Sequence, residues 1–126
     1  MFEGKTALVV DDVEINLEII AAVLENTAMQ FVFASNGREA VETFASDPKK
    51  FDVVLMDINM PEMDGIEATR QIRLTGPEGA KVPIIAVTAN IHPAEVKNCL
   101  DAGMTDHIGK PIEFDEVLKK IESYIS

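Results

Sequence analysis

Residues 53–57 read VVLMD, four apolar residues closed by an acid. A run this short and this apolar is the signature of a strand buried on both faces, and the acid marks where the chain leaves the core. The same punctuation occurs at TALVV (6–10), which runs directly into Asp11 and Asp12. Working outward, FVFA (31–34), PIIAVT (83–88) and a weaker HIG (107–109) complete a set of short, largely buried strands. Between them lie helix-patterned stretches of roughly ten residues or more, so the alternation predicts five βα units and a parallel sheet rather than hairpins.

Local punctuation agrees with those boundaries. Asn36-Gly37 opens the second helix, Asp64-Gly65 the third and Pro93 the fourth, and Gly103 stops the fourth. The Gly/Pro-rich piece LTGPEGAKVP (74–83) is expected to be a loop. Val13, Leu17, Ile20 and Leu24 should form the core stripe of the first helix, with Ile15, Ile19 and Ala22 opposite; Phe114, Val117, Leu118, Ile121 and Ile125 should form that of the last. Short right-handed crossovers then predict a single α/β domain over residues 1–126, a doubly wound (βα)5 sheet of the flavodoxin-like order 2-1-3-4-5.

Composition narrows the function. A chain of 126 residues with 47% apolar content suits one continuous core. A formal net charge of −11 argues against nucleic acid or an anionic membrane as direct partner, and a phosphate-handling site in such a field needs a metal. The single Cys99 excludes a disulfide framework and is expected to act as a small hydrophobe. With no signal peptide or membrane-length apolar run, the expected setting is the cytoplasm, without membrane insertion.

In the predicted strand order, strands 1 and 3 are neighbours, and their carboxyl ends define the crevice where such sheets bind ligands. Asp11, Asp12 and Asp57 fall there, joined by Thr88 from the fourth strand and Lys110 after the fifth. Carboxylates gathered closely repel unless a cation lies among them, and Mg²⁺ suits oxygen ligands with a phosphate completing its shell. Asp12 and Asp57 are the expected direct ligands, Asp11 acting through water or charge. Any one acid alone could simply cap the following helix, Thr88 could merely fit its strand, and Lys110 could be a solvated lysine. A carboxylate can also attack a phosphoryl group when cations neutralise the transferring oxygens, the role that suits Lys110, with Thr88 donating a hydroxyl.

The acid pair at 11 and 12, LMDINMPEMDG around Asp57, VTAN around Thr88, and Lys110-Pro111 together resemble the receiver domain of two-component response regulators, over essentially the whole chain. The resemblance implies phosphoacceptance at Asp57 from a histidine kinase or histidine phosphotransfer domain. It implies Mg²⁺ held by Asp11, Asp12, Asp57 and the backbone carbonyl of Asn59, roles for Thr88 and Lys110, and a cis peptide before Pro111. Where this chain has His107, members usually carry a Tyr or Phe whose rotation accompanies phosphorylation; a packed strand-end residue and a titrating switch are both open readings. Asn59 and Asn90 would flank the phosphate, or serve as turn residues.

Met56, Met60 and Met63 are expected in packing, since thioethers do not suit hard cations. The second apolar stripe of the first helix is a candidate docking patch for the phosphohistidine donor, or is covered by loops. By resemblance, the face built from the fourth helix, fifth strand and fifth helix carries contacts to an output partner or a phosphorylation-dependent homodimer. The leading function is thus a phosphorelay module that catalyses its own phosphorylation and dephosphorylation without being a turnover enzyme. The alternative is a degenerate receiver used only for binding. A flavin carrier lacks its glycine-rich loop here, and a hydrolase lacks a second acid and a substrate pocket. The wording of FEGKTALVVDDVEIN and MDINMPEMDGIEATR is closer to receivers of hybrid sensor kinases than to standalone regulators.

Overall fold

The apolar runs are strands β1 (Thr6–Val10), β2 (Gln30–Ala34), β3 (Val53–Asp57), β4 (Ile84–Thr88) and β5 (Asp106–Gly109). They form one parallel sheet in the order β2-β1-β3-β4-β5, as expected. The computed structural model describes residues 2–89 and 92–125. Its helices are α1 (Glu14–Glu25), α2 (Gly37–Ser46), α3 (Gly65–Arg73), α4 (Pro77–Lys81), α5 (Pro93–Asp101) and α6 (Phe114–Ile125).

Strand alternation sends successive side chains to opposite faces, so the core comes in two layers. Leu8, Val10, Val54, Met56, Ile84 and Ala86 pack with Ala40 and Phe44 of α2, Ala68 and Ile72 of α3, and Cys99 of α5. Ala7, Val9, Val53, Leu55, Ile85, Val87 and Ile108 pack on the other face with Leu17, Ile20 and Leu24 of α1 and Val117 and Ile121 of α6. Every residue of β1, β3 and β4 is buried. The outer strands depart from the expected burial, and Phe33 of β2 is 40% exposed, because an edge strand has a neighbour on one side only.

Helix starts follow the caps read from the chain. Asn36 Oδ1 accepts the Glu39 N–H at 2.8 Å, Asp64 Oδ1 accepts the Glu67 N–H at 2.9 Å, and Pro93 begins α5. Gly103 follows the α5 C-cap at φ +107°.

Three further expectations need correction. Val13 is the extended residue before α1 rather than part of its buried stripe, and lies 45% exposed. Phe114, the first residue of α6, is 53% exposed, whereas Val117 and Ile121 further along the helix are buried. The predicted loop 74–83 contains α4, with Pro77 at its start. This short helix is organised by the Arg73 guanidinium, which donates to the carbonyls of Gly79, Val82 and Gly103 and to Thr105 Oγ1. Burial lowers the Arg73 pKa, and its partners are oxygens of backbone and hydroxyl rather than a carboxylate.

Candidate functional site

Register carries the acids to one place. Val10 pairs with Met56, so the residues that follow, Asp11 and Asp57, emerge side by side at the carboxyl edge of β1 and β3. Asp57 pairs with Val87 and Thr88 with Gly109, which places Thr88 and Lys110 at the same edge, and the Lys110 N–H donates to the Thr88 carbonyl at 2.9 Å. The peptide between Lys110 and Pro111 is cis.

Carboxylate oxygens of Asp11, Asp12 and Asp57 all lie within 4.8 Å of one another. Asp11 and Asp57 are buried, at 1% and 4% exposure, while Asp12 opens to solvent. Lys110 reaches in from β5, its Nζ 3.2 Å from Asp57 Oδ1 and 3.5 Å from Asp11 Oδ2. Burial, then the Asp11 charge, push the Asp57 carboxyl up to about 6 against the opposing pull of Lys110. Burial and the neighbouring acids together outweigh the single ammonium that faces Asp57.

The capping alternative is not met at α1, whose N-cap Val13 has no side-chain cap. Asp11 Oδ1 accepts the Val13 N–H at 2.9 Å, just ahead of α1, but Asp11 Oδ2 is buried without a hydrogen-bond donor. A buried carboxylate oxygen without a donor is costly, and here only the Lys110 ammonium, 3.5 Å away, stands against two further carboxylates. The oxygen-only donor set, the spacing and this orphaned atom fit a hard divalent cation such as Mg²⁺. Asn59, exposed in the loop after β3, is near enough in the chain for its carbonyl to join that set. Thr88 is 2% exposed at the end of β4. Asn90 lies outside the described residues.

One residue at this site looked like a turn marker from its sequence alone. Gly65 donates its N–H to the Ile58 carbonyl at 2.9 Å, and a Cβ there would overlap the carbonyl oxygen of Asp57. The missing side chain lets the start of α3 close directly under the acceptor strand. Met56 and Met60 are buried and Met63 partly so, all in the core layer beneath, as expected of packing residues.

Away from the acids, His107 Nδ1 lies 3.7 Å from Asp106 Oδ1. The Asp106 carboxylate is already engaged by Lys120 Nζ at 2.9 Å, the His107 N–H at 2.7 Å and the Tyr124 hydroxyl at 2.8 Å. Burial raises the Asp106 pKa, but those donors outweigh it and hold the group below its ordinary value. Beside the acids, a cleft between α1 and β2 is lined by Asp11, Asp12, Glu14, Leu17, Phe33 and Ser35. Ile15 and Ile19 are 57% and 39% exposed on α1, so the second stripe is uncovered.

Both the sequence and the fold match known proteins. The profile of the response regulator receiver domain matches residues 7–122. The chain is 42% identical over 108 residues to the signal transduction histidine-protein kinase BarA of Escherichia coli strain K12, covering 86% of this chain and 11% of BarA. Its fold is similar to the receiver domain of the sensor histidine kinase PA1611 from Pseudomonas aeruginosa PAO1, solved with a magnesium ion coordinated in the active site cleft: TM-score 0.88, 35% identity, 97% of this chain and 98% of that one. It is also similar to the receiver domain of Ssk1 from Saccharomyces cerevisiae, solved with the histidine phosphotransfer protein Ypd1: TM-score 0.88, 28% identity, 99% and 91% covered. The chain spans 11–15% of the length of the histidine kinases it matches. No described helix is long and apolar enough to cross a membrane.

Proposed function

We propose, for a chain that belongs to the response regulator receiver domain family, that Asp57 accepts a phosphoryl group from a phosphohistidine donor and that its phosphorylation switches a partner-binding surface. In the reaction a carboxylate oxygen of Asp57 attacks phosphorus, the phosphorus–nitrogen bond breaks, and the imidazole nitrogen leaves with the electron pair and is then protonated from solvent. Mg²⁺, held by Asp11, Asp12, Asp57 and the Asn59 carbonyl, would neutralise charge on the transferring oxygens. Lys110 stabilises the same charge, and Thr88 donates its hydroxyl to another phosphoryl oxygen. Water attack on the acyl phosphate reverses the modification, so the chain catalyses both its phosphorylation and its dephosphorylation.

The single observation that carries this reading is the Asp57 carboxylate, buried, raised in pKa, and held 3.2 Å from Lys110 beside two more acids. An intact acidic set with its cation weighs against a phosphorylation-independent binding module. Residues 1–126 act as one receiver domain in the cytoplasm, served by a histidine kinase or a histidine phosphotransfer domain. The exposed Ile15 and Ile19 beside the cleft receive that donor, and the face of α5, β5 and α6 passes the signal to an output partner or a second copy. Intact mass after incubation with acetyl phosphate and Mg²⁺ tests the proposal: one phosphate should be gained by this chain and none by Asp57→Asn. A mass unchanged in both, with beryllofluoride also failing to bind, refutes it.

A further inference from the structure

Between Asp57 and α3 the chain makes a turn of an uncommon kind. The Met63 N–H donates to the Pro61 carbonyl at 2.8 Å across Glu62, whose φ is +67°. This is a γ-turn of the rare positive-φ type at a residue with a side chain, a conformation that persists only where its surroundings hold it. One end is held by the Gly65 N–H on the Ile58 carbonyl. The other is held from outside: the Met63 carbonyl accepts the Gly37 N–H at 3.2 Å, from the first residue of α2.

Gly37 is buried, and a Cβ on it would overlap the Met63 carbonyl oxygen, with the Met63 carbonyl carbon and Cγ each 3.0 Å away. That Met63 atom belongs to backbone and has no rotamer by which to move aside. A side chain at 37 would therefore push the loop outward or break this backbone tie to α2. The displaced segment is 58–63, which contains Asn59.

We infer that Gly37 is a positioning residue for the metal site: by lacking a side chain, it lets α2 clamp the loop after β3 so that the Asn59 carbonyl faces the acids. This rests on the proposed magnesium site. The link is invisible in the chain, since residue 37 follows the edge strand, away from each acid, and looks like half of an Asn-Gly helix start.

The test is magnesium binding to the whole chain by calorimetry, with the rate of phosphorylation by acetyl phosphate followed against magnesium concentration. Gly37→Ala should weaken magnesium affinity about ten-fold, the range found for groups that orient metal ligands. Its phosphorylation rate should recover at saturating magnesium, a change in the half-saturating concentration rather than in the limiting rate. Met63→Gly, which loosens the same anchor without inserting atoms, should act in the same direction and decides the matter alone if Gly37→Ala does not fold. Ile72→Val, a destabilising change in the same core layer, should leave magnesium affinity unchanged. Wild-type affinity in the folded Gly37 and Met63 variants, or an equal loss in Ile72→Val, overturns the inference while leaving the magnesium site standing. No binding by the unmodified chain sinks both.

Discussion

Lys110 Nζ lies 3.2 Å from Asp57 Oδ1 across a sequence separation of 53 residues. Two adjacent strand pairings create that contact, β3 with β4 and β4 with β5, and the ammonium spans from the sheet edge to the acceptor. Removing it leaves two buried carboxylates facing each other. Lys110→Ala should slow phosphorylation by acetyl phosphate about 100-fold at saturating magnesium, as loss of one preorganised charge-stabilising donor does. Lys110→Arg should recover little, because a planar fork does not replace a point charge. Time courses of intact mass measure both.

Asp57 makes the metal-free protein sensitive to pH. Its folded carboxyl sits at about 6 against an ordinary 3.8, so the folded state keeps a proton that the unfolded chain has released. The group therefore favours folding at pH below its unfolded value, and that contribution is lost as pH rises through about 6, by on the order of 3 kcal/mol. Urea unfolding with chelator should show the wild type weaker at pH 7 than at pH 4, and Asp57→Asn without that decline. Added magnesium should narrow the gap at pH 7. Parallel pH curves for the two proteins would contradict the assignment.

Ile19, 39% exposed on α1, belongs to the surface proposed above to receive a protein donor, which a small donor would not need. Ile19→Glu should slow transfer from a histidine phosphotransfer protein by about ten-fold, the equivalent of one lost apolar contact at an interface, and leave the acetyl phosphate rate unchanged. Stopped transfer assays with both donors distinguish a docking role from damage to the site, which would slow both.

Arg73 ties α3, α4 and the turn before β5 through four oxygens. Arg73→Met keeps much of the side-chain volume but removes every donor, leaving part-buried carbonyls unpaired. The expected loss is about 2 kcal/mol in chemical denaturation, with the phosphorylation rate of the folded protein unchanged. Hydrogen exchange should rise first at Ala80 and Val82, the amides that close α4.

Much of the fold was legible because period and punctuation agree. VVLMD and TALVV are buried on both faces, and Asn36 and Asp64 cap the helices they precede. Val13 and Phe114 depart from their stripes for one reason: helical periodicity does not mark where a helix begins, and both apolar residues lie in solvent at a helix start. LTGPEGAKVP looked like a loop because its Gly and Pro content is that of a turn, whereas α4 depends on an arginine outside the segment.

The candidate site divides along the same line. That Asp11, Asp12, Asp57, Thr88 and Lys110 share an edge follows from the alternation of strands and helices, which local pattern shows, since a parallel sheet carries every strand end to one side. What the tertiary structure alone decided is how those groups interact: which Asp11 oxygen is engaged by the Val13 amide and which is left without a donor, and how far burial and the neighbouring acid raise Asp57. It also decided the glycine contacts at 37 and 65, where two backbones approach too closely for a side chain. Alternation of apolar residues is a local property written along the chain, whereas desolvation, charge repulsion and close approach depend on distances between segments that meet only once the sheet has formed.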